Sequence, residues 1–385
     1  MFIQTLIFLL SVVIMLGVVV VVHELGHFWA GRAFGAAVES FSVGFGSSIV
    51  ERKDKRGTRW RINWIPLGGF VKFVGEAQAP GDVGAHQSGP TGLAYTALSP
   101  LQRIGVSLAG PAANFVLAVV LFTLIIWVNG TSRNQVIISD VVAGKPAAEA
   151  GLQAGDIITG VAGKPVENTQ DFLLPIQLGA GDRIVLNVLR GGQSLDLEIV
   201  PEKVRRDNGL GQMANLGTIH ARFEPLPLEP QTYGPLDALG AGAGQTIETV
   251  GMTVNMIARI ATGRDSLNTL SGPVGIGDVS RRVVNRTMEV EDVPLSRRWS
   301  SLGWTALQLC ALISVGIGLF NLLPLPILDG GHVVFHTWEA LTGKALPDKI
   351  QEGALTVGFF LLIGLFVVVT FGDIIETGVF APAGS

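Results

Sequence analysis

His23-Glu24-Leu25-Gly26-His27 is an HExxH sequence. On a helix the i, i+4 spacing sets both imidazoles on one face, where they can share a zinc ion. Glu24 is then positioned to take a proton from water that the metal activates, because zinc brings the pKa of such water toward neutrality. Any HExxH can also be polar helix surface. That alternative is poor here, since the three ionisable side chains directly follow the uncharged run Thr5 to Val22, and ionisable groups beside an apolar span are costly unless they serve a function.

A catalytic zinc needs a third protein ligand and an open coordination position. The single cysteine, Cys310, cannot build a Cys-based site or an intrachain disulfide. Six residues after His27, where some soluble zinc proteases carry a third histidine, the chain has Ala33. The candidate is Asp329, which closes an apolar run in Asn321-Leu322-Leu323-Pro324-Leu325-Pro326-Ile327-Leu328-Asp329-Gly330-Gly331. Two prolines must interrupt a helix there. Broken backbone at membrane depth is tolerated only where it is buried in protein or lines a cavity. The bland reading of Asp329 is a helix-end carboxylate at the membrane interface. His332 and His336 repeat the i, i+4 spacing without the intervening glutamate, and read as interfacial or supporting residues.

The elements that must position these groups follow from four apolar runs. Of 385 residues, 48% are apolar and 15% charged, against roughly 25% charged in an ordinary soluble domain. Thr5 to Val22, Ile104 to Val128, Leu302 to Leu328 and Leu355 to Phe371 contain no charge, and each is about the length a spanning helix needs. A cleaved signal peptide would need a basic leader before the first run, which is absent. Nine basic residues (Arg32, Arg52, Lys53, Lys55, Arg56, Arg59, Arg61, Lys72 and Arg103) lie between the first two runs and none before Gly31, so segment 31–103 is expected to be cytoplasmic. His23, His27 and Asp329 then all arrive near the cytoplasmic leaflet. With 27 basic and 31 acidic residues, a formal −4, the chain offers no global attraction to nucleic acid.

The long segment 129–301 is expected outside. From Val136 to Pro201, β-branched runs alternate with glycine-rich turns, as in Ile184-Val185-Leu186-Asn187-Val188-Leu189. Ala147-Ala148-Glu149-Ala150-Gly151-Leu152 reads as a short helix with a glycine stop, and the stretch resembles a bacterial PDZ domain. By that resemblance Leu216, Gly217, Thr218 and Ile219 are the displaced strand and loop flanking a peptide groove, as in circularly permuted PDZ domains; a plain linker strand is the alternative. Leu236 to Ile260 carries apolar residues at helical spacings and is amphipathic, suited to the membrane surface or to the helix bundle. Arg281 to Arg298 reads as a loop.

Taken together, HExxH in the first helix, Gly110-Pro111-Ala112-Ala113-Asn114, the PDZ-like segment, Ser271-Gly272-Pro273-Val274-Gly275 and the Asn-x-x-Pro-x-Pro-x-Leu-Asp-Gly run resemble the site-2 protease family of intramembrane zinc metalloproteases, RseP type. One PDZ segment rather than two makes the chain similar to the single-PDZ bacterial members. The resemblance implies one Zn2+ per chain on His23, His27 and Asp329, with Glu24 as catalytic base. It implies that Asn114 and Asn321 line the site and steady substrate or transition state, an interhelical polar contact being their alternative. Phe41-Ser42-Val43-Gly44-Phe45-Gly46 and Pro66-Leu67-Gly68-Gly69-Phe70-Val71-Lys72 match the family's membrane-reentrant β-hairpin beside the zinc. Phe70 stands where tyrosine is frequent.

The expected fold is a multi-pass α-helical membrane protein of about four transmembrane helices, with a membrane-associated β-hairpin region and an inserted β-rich PDZ domain. The expected divisions are helix 1 (1–30), the cytoplasmic hairpin region (31–103), helix 2 (104–128), the external PDZ domain (129–222), a linker with the amphipathic helix (223–301), helix 3 (302–331), a cytoplasmic loop (332–354), and helix 4 with the tail (355–385). The expected activity is hydrolysis of peptide bonds in transmembrane segments of single-pass proteins already trimmed by a first cut, as in anti-sigma factor cleavage, with the PDZ domain gating access. The expected setting is the bacterial inner membrane, with the PDZ domain periplasmic, the lipid bilayer as partner and no nucleic acid. Two rivals are a membrane scaffold with a structural zinc and a zinc protease acting on lipidated C-termini. Glu24 argues against the first, since a structural zinc needs no base, and the external PDZ-like segment against the second.

Overall fold

A computed structural model describes residues 2–75, 90–207, 213–263 and 294–377. Helix α1 is Phe2–Ala33, strands β1 and β2 are Val38–Lys53 and Arg59–Phe73, and α2 is Pro100–Asn129. The β-rich segment holds β3 (Asn134–Val141), α3 (Pro146–Glu149), β4 (Ile157–Val161), β5 (Lys164–Pro165), α4 (Thr169–Leu178), β6 (Ile184–Arg190), β7 (Gln193–Ile199), β8 (Glu202–Asp207), β9 (Met213–Thr218) and β10 (Ala221–Pro227). Three helices and a long C-terminal one complete the described chain: α5 (Pro235–Ala261), α6 (Leu295–Asn321), α7 (Asp329–Thr342) and α8 (Asp348–Thr377).

Among the described residues, four helices are long and apolar enough to cross a membrane: Val13–Ala33, Pro100–Asn129, Leu295–Asn321 and Lys349–Ile374. They keep large apolar side chains exposed, among them Val116, Val120, Trp127 and Phe360. In water such surface would be a liability, whereas a lipid-facing helix requires it.

The described residues of Met1–Ile125, Leu239–Val254 and Ser280–Val368 form one compact unit. In it Met15 and Val19 of α1 pack with Cys310 of α6 and Leu117 of α2. Ala118 and Phe122 of α2 pack with Ala311 and Val315 of α6, and Val250 of α5 joins them, so this part of the amphipathic helix lies against the bundle. Phe28, Phe41, Phe73, Tyr95 and Val106 form a further cluster that ties the hairpin to α1 and α2.

The hairpin is more elaborate than two strands. Ser40, Phe41 and Ser42 stand opposite Lys72, Val71 and Phe70, and also beside Arg59, Trp60 and Arg61, while Glu51 and Lys53 face Arg61 and Arg59. The chain therefore folds back on itself, leaving the Gly69–Phe73 portion of β2 at the outside.

The second unit contains Ile126–Ala238. Its sheet runs β10-β3-β4-β6-β7, with β5 added to β4, and β8 pairs with β9 as a separate ribbon. Alternating inward residues Val136, Ile138, Leu186 and Val188 meet Phe172 and Ile176 of α4 in one core, the period-2 burial that one-sided strands demand. Asn168 caps α4 in a box with Asp171.

Several expected boundaries move. The third apolar run is not one helix to residue 331: α6 ends at Asn321 and Asp329 begins α7, because Pro324 and Pro326 lack the amide a continuing helix needs. The expected loop 332–354 is largely helical, α7 reaching Thr342 and α8 starting at Asp348. Leu295 to Arg298, expected in a loop, opens α6. Ser271 to Gly275 and the rest of the Arg281 stretch up to residue 293 lie outside the described residues.

Candidate metal centre

The two histidines sit one turn apart on α1, with Nε2 atoms 3.1 Å from each other. Close helix packing makes this possible. A Cβ on Gly26 would lie 2.3 Å from the Ala109 carbonyl oxygen, and a Cβ on Gly110 would lie 2.3 Å from His27 Nε2. Only glycine at both positions lets α2 approach the imidazoles.

Each ring is oriented by its second nitrogen. His27 Nδ1–H donates to the Val106 carbonyl at 2.8 Å, which leaves the Nε2 lone pair free. The Asn114 side chain is fully buried, with Nδ2 3.3 Å from His23 Nδ1 and Oδ1 without a hydrogen-bond partner. With that oxygen turned to the ring, Asn114 accepts Nδ1–H and frees His23 Nε2 in the same way. Ser314 of α6 donates to the Asn114 carbonyl at 2.8 Å, so Asn114 is held from a second helix.

Asp329 completes the cluster from the first turn of α7. Its Oδ2 is 3.1 Å from His23 Nε2 and its Oδ1 3.4 Å from His27 Nε2. Ligand bonds of about 2.1 Å in a tetrahedral site give ligand-to-ligand separations of about 3.4 Å, so the three groups fit zinc. Among the described residues these are the His, Cys, Asp and Glu side chains close enough to hold a metal together, all three ligand atoms lying within 4.8 Å of one another.

The centre opens on a cavity of about 270 Å³ lined by Glu24, Phe70, Phe73, Tyr95, Asn321 and His332, as well as by the cluster itself. Glu24 Oε2 accepts the Val71 amide at 3.0 Å, and Asn321 Nδ2 is 3.2 Å from His23 Nε2. His332, expected only as an interfacial or supporting residue, is part of the lining. Burial holds its imidazole below the ordinary histidine pKa. The Val71 amide and the Val106 carbonyl are contributors that sequence reading missed. Both are backbone atoms, which leave no residue-type signature. Tyr95 and Phe73 were missed as well, their only signal being aromatic character near the hairpin ends.

The expected peptide-binding residues have a different setting. Leu216, Gly217 and Thr218 pair with Val204, Lys203 and Glu202 of β8. Leu216 and Ile219 are buried, and Ile219 belongs to the domain core. One terminal strand of the sheet is β10, whose Phe223 ring lies 5.6 Å from that of Phe172 of α4.

An HExxH helix, a distant carboxylate on the same cavity and four apolar helices define a membrane zinc metalloprotease. The chain belongs to peptidase family M50, the site-2 protease family, whose family model matches residues 11–365. It is 34% identical over 93% of both chains to a protein of Brucella suis named as a zinc metalloprotease. It is 33% identical over 98% of both chains to metalloprotease MmpA of Caulobacter vibrioides. Among solved structures it matches the PDZ domain of an SdrC-like protein from Listeria monocytogenes at 25% identity and a TM-score of 0.20, over 23% of this chain and 85% of that one.

Proposed function

We propose that this protease cuts peptide bonds within the transmembrane segments of single-pass membrane proteins, in regulated proteolysis such as anti-sigma factor cleavage. The observation that carries the reading is the burial of the cluster among apolar helices: His23 and Asn114 are 6% and 0% exposed. His23, His27 and Asp329 hold the metal. Zinc bound there supplies Lewis acidity toward the scissile carbonyl and lowers the pKa of water.

The protein's own groups do the rest. Glu24 accepts a proton from the attacking water as its oxygen bonds to the carbonyl carbon, then returns that proton to the leaving amine as the carbon–nitrogen bond breaks. Asn321 lines the cavity as a hydrogen-bond donor to charge developing on the carbonyl oxygen. Asn114 steadies His23. Because a helix satisfies its amides internally, a substrate helix must unwind before it can be cut. The outer Gly69–Phe73 portion of β2 is suited to take up the released backbone by strand addition.

The β-rich domain acts as a PDZ-type filter, admitting substrates already shortened by a first cut. Its peptide strand pairs with the edge of β10, next to α4, and Leu216 to Ile219 shape that edge from beneath. In this reading the protein resides in the bacterial inner membrane with the β-rich domain periplasmic and the zinc site toward the cytoplasm, in keeping with the basic residues of segment 31–103. The test is reconstitution with model single-pass substrates, comparing wild type with Glu24→Gln. Cleavage by wild type alone supports the proposal, and equal cleavage by both removes Glu24 as the base. Undiminished zinc in Asp329→Ala would remove that residue from the ligand set.

A further inference from the structure

A second cavity of about 270 Å³ lies away from the metal centre, lined by Arg32, Gly35, Ala36, Arg56, Thr91 and Gly92. Arg32 is in the last turn of α1, and its side chain is only 10% exposed. One of its terminal nitrogens donates to Thr58 Oγ1 and lies 3.7 Å from Asp54 Oδ2. Its guanidinium carbon is 5.5 Å from the centre of the Phe28 ring. Its Nε is buried with no hydrogen-bond partner. A buried guanidinium N–H left unpaired is costly, and the same side chain belongs to a residue that lines the open cavity.

The surrounding charge selects the ligand's sign. Arg56 is exposed, and among the described residues its guanidinium has no carboxylate partner. Asp54, the nearby acid, is committed to the hairpin turn: it accepts the amides of Arg56 and Thr58 and the Trp60 indole N–H. Lys53 and Lys55 flank it in sequence, so among the described residues of this turn basic side chains outnumber the carboxylate. Two guanidiniums converging on one cavity suit the oxygens of a phosphate group, which accept several hydrogen bonds at once.

The apolar surroundings indicate where such a phosphate would come from. Trp29, Phe34 and Leu93, adjacent in sequence to the helix end and the cavity walls, are 61%, 38% and 52% exposed. An exposed tryptophan and phenylalanine at the end of an apolar helix are interfacial residues, and basic pockets at that depth hold lipid head groups. We infer that Arg32 and Arg56 form a phosphate-binding site at the membrane interface, occupied by the headgroup phosphate of an anionic glycerophospholipid.

The test uses the full-length protein, delipidated in neutral detergent. Native mass spectrometry measures retention of phosphatidylglycerol against phosphatidylcholine, and calorimetry measures binding of inorganic phosphate. Wild type is expected to prefer phosphatidylglycerol, and Arg56→Gln, an exposed change that leaves the fold intact, to weaken its binding about tenfold. Lys55→Gln, which removes the same charge beside the site, is expected to change it less than about twofold. Arg32→Gln together with Arg56→Gln should abolish the preference while zinc content stays at the wild-type level. Binding of inorganic phosphate that Arg56→Gln weakens, without a lipid preference, supports the same site with the free ion as its source. Absence of binding by either probe, or equal losses in Arg56→Gln and Lys55→Gln, overturns the proposal.

Discussion

The backbone N–H of Val71 donates to the Glu24 carboxylate at 3.0 Å, so the outer strand of the hairpin and the expected base are joined by one hydrogen bond. Val71 stands opposite Phe41 in the sheet, yet its amide serves α1. Val71→Pro removes that donor. Hydrogen bonds to charged groups contribute about 1.5–3 kcal/mol, so the variant should lose at least about tenfold in turnover of a transmembrane substrate. Zinc content, read by elemental analysis, should not change. A parallel loss of zinc would show instead that the amide holds the metal cluster together.

Gly110 provides the clearance for the ligand pair, since its Cβ would fall 2.3 Å from His27 Nε2 and 2.8 Å from His23 Cε1. Gly110→Ala should therefore deplete zinc even though alanine favours a helix interior by about 1 kcal/mol over glycine. Helical content by circular dichroism should be retained. Full zinc occupancy in this variant would contradict the close packing of α2 on α1.

The two asparagines should separate by readout. Asn114→Ala leaves His23 Nδ1 without its buried partner and should weaken zinc about 10- to 100-fold, as removal of a group that orients a ligand does. Asn321→Ala should keep the metal and lower kcat by about 10²–10³, the loss expected for a donor to developing charge. Metal titration and single-turnover cleavage distinguish them, and a matched zinc loss in both would make Asn321 a metal-orienting group too.

In the β-rich domain, Asp156 is buried and meets Arg190 through two contacts of 2.7 Å. Burial pushes its carboxyl up, but the bonds from Arg190 and from the Gln153 amide outweigh this and hold it below the ordinary range. A depressed folded pKa contributes stability that is full above about pH 5 and is lost as pH falls through the carboxylate range below about 4. Asp156→Asn should cost about 2–3 kcal/mol at neutral pH and flatten the acid dependence. Hydrogen exchange of the β4 and β6 amides in the intact protein measures both.

How much was legible depended on the distance over which each feature is encoded. The HExxH pair needs only the helical period, and four uncharged runs of spanning length needed only counting. The short helix before Gly151 and the strand at Ile157 were legible from a glycine stop followed by β-branched residues, and Gly151 has the positive φ of +79° that suits glycine. The division of the third run into α6 and α7 was half legible. Pro324 and Pro326 announced a break, but only the structure puts Asp329 at a helix start, with its carboxylate on the histidines. Leu216 to Ile219 read as a strand and loop in sequence, while the pairing of β9 with β8 and the burial of Leu216 and Ile219 depend on the folded domain.

By itself the sequence determined the HExxH histidine pair, the apolar lengths and the presence of a single cysteine, because each is a matter of residue type at short spacing. Tertiary structure decided the rest of the site. Asp329 meets α1 from the far end of the chain, Gly110 matters for the volume it leaves empty, and Val71 and Val106 act through backbone atoms common to every residue. Such contributions depend on which surfaces meet, and no local pattern of side chains records that.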